Sequence, residues 1–366
     1  MTVRDIIQSL EHWAPAEYQE GYDNARLIVG DPNAKVEQVL CTLDCTEEVV
    51  REAIEKGCQL IVAHHPIVFG GLKSLTGKNY VERTVMMAIK NDVSIYAIHT
   101  NLDNVWTGVN RKIGEKLGLQ DLKILSPKKE VLLKLFTFVP HASLESVRNA
   151  LFAAGAGSIG DYDHCSFGQE GAGTYRGNED TNPAIGTTGS DHTEPETKLE
   201  VVLPIHLQRQ VVAALIQAHP YEEVAYDLIR LENMYPRLGS GMVGELTTET
   251  AMSSFMKDVS KSFKLKALRH TPILKQKIKK IAFCGGAGRF LLPDAIASGA
   301  DVFITSDVKY HEFFDADGKI VIMDIGHFES EQFTPELIKE YLDEKFPTFA
   351  VLLTEAGTNP VHYYIA

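Results

Sequence analysis

The sequence predicts an α/β protein whose two chain ends fold together as one domain, with a small ferredoxin-like α+β domain inserted between them. Three observations carry this expectation. Short apolar runs alternate with helix-patterned segments over residues 1–128 and again over 238–366, the rhythm of parallel strands joined by crossover helices. That rhythm changes over residues 129–237. Polar clusters able to do chemistry follow strands in both flanks, so a shared site requires the flanks to meet. Three domains in a row is the direct alternative.

In the first flank, residues 3–13 pattern as a helix with Val3, Ile6, Ile7 and Leu10 on one face. Residues 36–43 read as a strand. Thr46 caps a helix over 47–55 that carries acids in its first turn. Residues 60–63, Leu-Ile-Val-Ala, form a wholly apolar strand of the kind buried on both sheet faces. A helix over 80–91 and a strand over 93–98 follow.

The middle begins with a strand over 131–139 and a helix over 144–154. Six glycines and two prolines then fall between Gly168 and Lys198, which reads as a long turn-rich segment with a strand hidden near it. A strand (198–204), a helix (208–218) and a strand (224–231) complete a ferredoxin-like order. His219-Pro220-Tyr221-Glu222-Glu223 sits between these elements and reads as structural or interface-forming. The second flank offers a helix over 253–263, a strand over 278–284, a helix over 291–298, and strands over 302–305 and 319–324. A helix from His327 and a last strand over 350–354 end the order.

Composition limits the function. A length of 366 residues fits two or three units of ~100–200 residues. The net charge of -13 opposes nucleic-acid binding, and the basic run Lys275–Lys280 reads as a solvated strand start. Five cysteines with no CxxC spacing exclude a disulfide framework and a cysteine-type zinc site, and point to a cytoplasmic protein. No apolar run reaches the ~18 residues of a transmembrane helix. The first residues lack the apolar core and cleavage site of a signal peptide, so neither membrane insertion nor export is expected.

Three strand-to-helix junctions carry the chemistry. His64-His65 directly follow the strand 60–63, at the carboxyl edge where ligands bind open α/β sheets. Adjacent side chains diverge, which suits two neighbouring ions better than one. Asp103 lies in Ile98-His99-Thr100-Asn101-Leu102-Asp103, again after a strand; its carboxylate could bridge two ions, and His99 is a candidate for orienting a ligand or moving a proton. His327 and Glu331 are four apart, one helical turn on one face. Each junction alone also reads blandly, as solvated histidines, as turn and cap residues, or as an incidental His–Glu pair. Together they offer three imidazoles and two carboxylates, too many for one tetrahedral ion and enough for two sharing a carboxylate. Mixed N/O donors suit zinc first, then Mn, Fe or Ni, rather than Ca or Mg. Gly285-Gly286-Ala287-Gly288 reads as a tight turn, with a phosphate or carboxylate cradle as the rival. Asp307 and His311 are rim candidates.

The motifs AHHP (63–66), IHTNLD (98–103), CGGAG (284–288), TSDVKYHEF (305–313) and DIGHFESE (324–331) together resemble the NIF-three-like family, whose bacterial members often carry the label GTP cyclohydrolase I type 2 homologue. The likeness runs over residues 1–128 and 238–366, and the insert is similar to the PII/CutA-like domain of longer bacterial members. The resemblance implies a dinuclear metal centre with His64, His65, Asp103, His327 and Glu331 on the ligand positions, and a toroidal homohexamer. It implies a metal-activated water attacking C8 of a guanine nucleotide, with ring opening and loss of formate. His99 would then move protons, and the glycine loop or Lys309 would meet the triphosphate. One departure stands out: Tyr22-Asp23-Asn24-Ala25-Arg26-Leu27 lacks the glycine that the family carries there, which puts a tight turn in question.

Two readings of function follow: a metal-dependent hydrolase acting on GTP or a related heterocycle, or a metal-binding scaffold, regulator or metallochaperone without turnover.

Overall fold

The run Leu60–Ala63 is a strand with all four residues buried. It lies in the middle of a five-stranded sheet ordered Leu27–Val29, Ser94–Ala97, Leu60–Ala63, Gln38–Thr42 and Ala350–Leu353. The last four strands run parallel and only Leu27–Val29 is antiparallel. Every residue of Ser94–Ala97 is buried as well, so both faces are covered, as parallel sheets require. Each large side chain so buried is worth about 1.5–3 kcal/mol. The strand ends are therefore stiff mounts. The helix Glu47–Lys56 is capped by the Thr46 side chain and closed by Gly57 in the left-handed region, and Tyr80–Lys90 is capped by Asn79.

The computed structural model describes residues 1–364, and these form a mixed α/β fold of two compact units, Met1–Pro127 with Arg237–Ala366, and Lys128–Pro236. The first unit holds a second sheet of six strands, ordered Arg269–His270, Val321–Asp324, Val302–Thr305, Lys277–Phe283, Tyr235–Ala251 and Gln120–Lys128. Its three central strands are parallel, and Arg269–His270 and Tyr235–Ala251 pair antiparallel to them.

In the second unit a sheet ordered Ser166–Tyr175, His192–Pro204, Leu132–Pro140 and Tyr226–Leu231 is antiparallel throughout. The helices Leu144–Ala153 and Gln208–Ala218 pack their buried residues Val147, Leu151, Val211 and Leu215 into one core with Leu133, Leu135, Leu199 and Val201.

Three expectations need correction. The stretch 168–198 is not turn-rich throughout: Ser166–Tyr175 pairs residue by residue with His192–Val201, which leaves only 176–191 as turn. Its strand is almost wholly exposed, so it had no need of an apolar pattern. The strands Gln120–Lys128 and Tyr235–Ala251 were not anticipated. Glycines interrupt the second of these, yet Gly241 is required there: its φ is +63° and a Cβ would lie 2.9 Å from the Phe283 carbonyl oxygen. Arg26, in place of the family's glycine, is not among the positive-φ residues, so no glycine-only turn is needed there. Lys277 and Lys279 are exposed around buried Ile278, which makes the basic run a solvated strand start. All five cysteines are free, and no described helix is long and apolar enough to cross a membrane.

Candidate metal centre

The ladder of the first sheet continues past its strands and fixes the histidine backbones. His64 N donates to Thr42 O at 3.1 Å and His65 N to Leu43 O at 2.9 Å. From the second sheet, the one-turn helix His327–Glu331 follows Val321–Asp324 directly. The two sheets meet at Glu331, whose Oε2 lies 3.0 Å from His65 Nε2 and 3.2 Å from His327 Nε2. All five expected ligands thus converge, together with His99. Three groups have ligand atoms within 4.8 Å of one another: His64, Asp103 and Glu331; His65, His327 and Glu331; and His64, His65 and His99. The first two groups share Glu331, and Asp103 belongs to only one of them.

Every imidazole is aimed by a partner on its outer nitrogen. His64 Nδ1 donates to Ile98 O at 2.8 Å, His65 Nδ1 to Asp44 Oδ1 at 2.8 Å, His99 Nδ1 to Asp23 Oδ1 at 2.8 Å, and His327 Nδ1 to Asp307 Oδ2 at 2.5 Å. Such outer bonds set the tautomer and turn Nε2 inward, as in metal-ligating histidines. His64 Nε2 and Asp103 Oδ1 face each other at 3.6 Å, both buried and both without a hydrogen-bond partner. Two buried acceptors facing each other with no donor between them cost stability, and a cation between them would remove that cost. The mixed N/O donors and the orphaned pair fit a divalent transition metal.

The charges agree. Burial pushes His64 down to about 3 against the pull of Glu331. Burial also opposes charge on His65 and His327, yet hydrogen bonds to Asp44 and Glu331 hold His65 up at about 9, and those to Asp307 and Glu331 hold His327 up at about 11. Burial and the Glu331 charge raise Asp103 well above its ordinary value. Glu331 is buried too, but its bonds to His327 and His65 hold it well below the carboxylate range. Without a metal, protons on His65 and His327 provide the positive charge that Glu331 requires.

The glycine loop is a tight turn and not a phosphate cradle. Gly285 N donates to Asn110 Oδ1, Gly286 N to Ser330 Oγ and Gly288 N to Thr305 Oγ1, which turns those amides inward. Gly286 has φ +60°, and a Cβ there would lie 2.4 Å from Glu331 Oε1 and 3.3 Å from His327 Nε2. Gly286→Ala is therefore expected to destabilise the fold by about 1–3 kcal/mol through strain and to lower metal content, read by thermal melting and elemental analysis. Wild-type values in both would disprove the close approach.

The centre opens into a cleft of about 840 Å³. Exposed Tyr22 and Phe69 stand at its mouth with ring centroids 6.3 Å apart. Asp307 lines the cleft, whereas His311 and Lys309 do not. Sequence reasoning missed Asp44, Phe69 and Arg269. It quoted Asp23 without giving it a role. Asp44 carried the same signal as the histidines, a polar residue just past a strand; Phe69 and Arg269 carried none.

Comparison with known proteins gives this geometry a family. The family model Duf34/NIF3 (NGG1p interacting factor 3) matches residues 1–360. A Halalkalibacterium halodurans protein named GTP cyclohydrolase 1 type 2 homolog is 41% identical over 363 residues, covering 97% of each chain. One of the same name from Bacillus subtilis is 36% identical, covering 98% of this chain and 97% of that one. The crystal structure of a Bacillus cereus protein related to NIF3 superposes with a TM-score of 0.87 at 37% identity, over 100% of this chain and 99% of that chain. A match this long shows the family, and the chain belongs to Duf34/NIF3.

Proposed function

We propose that the chain holds two divalent metal ions and hydrolyses a planar heterocyclic substrate, a guanine nucleotide by the name its relatives carry. His64, Asp103 and Glu331 take one ion; His65, His327 and Glu331 take the other. The carrying observation is the orphaned pair His64 Nε2 and Asp103 Oδ1 beside two ligand groups that share Glu331. Zinc ranks first for this donor set, followed by Mn, Fe or Ni. When bound, such ions activate water and stabilise developing negative charge. The rings of Tyr22 and Phe69 offer faces to a planar substrate.

His99 is the group for moving a proton. Its Nδ1 is tied to Asp23, which also accepts from Thr100 N at 3.0 Å. Burial works against the Asp23 charge, but these bonds hold it down at about 2, so Asp23 stays ionised and fixes the ring. His99→Ala is expected to reduce turnover of a GTP, GMP and guanosine panel by ~10²–10⁴-fold while metal content stays at wild type. Unchanged turnover would remove the role; metal lost with the side chain would make His99 a ligand instead.

One observation favours the second reading, a metal-binding scaffold, regulator or metallochaperone. Among the described residues, seven carboxylates line the cleft against a single guanidinium, Arg269. That guanidinium is already paired with Asp324 and bonded to the Val308 carbonyl. A triphosphate would find little there besides the metals themselves. Tight metal binding with no turnover of the panel would establish the scaffold.

Three further parts belong to the proposal. The insert is read as ferredoxin-like and PII/CutA-like, supported by its βαββαβ order with each helix-linked strand pair separated by a third strand. The working form is read as a homohexamer on the family resemblance. A cytoplasmic setting is supported by five free cysteines, and the charge of -13 speaks against nucleic acid as partner.

A further inference from the structure

The insert carries its own cavity of about 600 Å³, walled by the strand segment 169–175, the turn after it and Tyr221, Glu222, Glu223 and Ala225. At its base sits Glu196, a carboxylate only 6% exposed. Glu196 Oε1 accepts from the Tyr221 hydroxyl at 2.7 Å. No described group donates to Oε2, and that oxygen is not sealed in the core, since it is absent from the buried atoms that lack a partner. Gly173 leaves the space free: a Cβ on it would lie 2.2 Å from Oε2. A carboxylate buried with one neutral donor and no cation is costly to hold.

The surroundings are aromatic and acidic. The rings of Tyr175 and Tyr221 lie 5.7 Å apart, and Phe138 lines the same cavity. His219 takes the Tyr221 amide on Nδ1 at 3.2 Å and donates from Nε2 to Phe138 O at 3.0 Å, which pins Tyr221 in place. Both basic side chains on the wall are already engaged: Lys198 with Glu200 at 2.8 Å, and Arg176 with Asp191 at 2.6 Å. Glu222 and Glu223 add negative charge to the wall.

We propose that this cavity binds an organic ammonium cation, with the charged nitrogen on Glu196 Oε2 and the carbon skeleton against Tyr175, Tyr221 and Phe138. Rings that present their faces to a positive centre, beside a desolvated carboxylate, recognise such ligands. The volume lies in the range of small-molecule sites and far exceeds an inorganic ion. This site is independent of the metal centre: it shares no residue with that cleft.

The test is calorimetric titration of the full-length, metal-loaded protein with choline and with spermidine at constant ionic strength, with sodium chloride as the control. One of the two is expected to bind once per chain with Kd below 1 mM by order of magnitude, and Glu196→Gln to weaken it at least ~10-fold. Gly173→Ala, at a half-buried position whose Cβ fills the space at Oε2, is expected to weaken it likewise, and it serves if Glu196→Gln fails to fold. Unchanged far-ultraviolet circular dichroism and an unchanged melting curve in either variant report an intact insert. No binding of either probe, or binding that both variants retain, or binding that salt alone abolishes to the same degree in all three proteins, would overturn the proposal.

Discussion

Glu331→Ala is expected to lose both ions at once, a fall in affinity of more than ~10²-fold at each position. Its carboxylate is the one group common to the two ligand clusters. The effect must exceed that of losing an outer partner, which typically costs ~10–100-fold. A variant that removes His64 alone should empty one position more than the other. Glu329→Ala supplies the control: Glu329 lies on the same one-turn helix but bonds to Asn359 and Tyr363, so metal should remain. Elemental analysis after metal-replete purification reads all of this. Near two equivalents in wild type and in Glu329→Ala, with almost none in Glu331→Ala, is the expected pattern. Wild-type metal content in Glu331→Ala would refute the shared-carboxylate reading, and metal-free wild-type protein would remove the centre altogether.

The residues that were legible in the sequence share one property: they follow a buried strand directly. Leu60–Ala63 announces itself as a strand because each residue is apolar, and the His64-His65 pair stands out against that run. Val321–Asp324 and His327 follow the same grammar. The strands that escaped notice are those whose stabilisation is not written in hydrophobic pattern. Ser166–Tyr175 is almost wholly exposed and carries glycines, so only its partner strand could reveal it. Tyr235–Ala251 holds glycines for close approach, and glycine reads as turn when the neighbour that needs the space is Phe283, some forty residues away. The same limit applies in the site. Asp23, Asp44 and Asp307 each aim one histidine, and such pairings exist only once distant segments meet. That Glu331, and not Asp103, belongs to both side-chain groups is likewise a matter of where the second sheet's helix lands on the first sheet's edge.

Metal removal should destabilise the protein, and by more as pH rises. In the metal-free protein His65 is held at about 9 and His327 at about 11, against an ordinary 6.5. A base with a raised value stabilises the fold in its protonated form. That contribution is complete below about pH 6.5 and is lost as pH rises through about 9 for His65 and about 11 for His327. His64, pushed down to about 3 by burial, is neutral throughout this window and adds no dependence to it. Metal binding requires the unprotonated rings, so the ion that His65 and His327 take expels protons, and its apparent affinity climbs over the same range. The loaded protein thus gains where the empty one weakens. An ion present at ~1,000 times its Kd adds about 4 kcal/mol, a shift of roughly 10 °C for a unit of this size. Melting curves with zinc and with chelator, taken at about pH 6.5, 7.5 and 8.5, should show a gap that widens with pH across the range these values define. Titration in a weakly buffered solution should show acid released on zinc addition. A gap that narrows with pH, or uptake without proton release, would mean that His65 and His327 are not exchanging protons for metal, and the ligand assignment of both would fall.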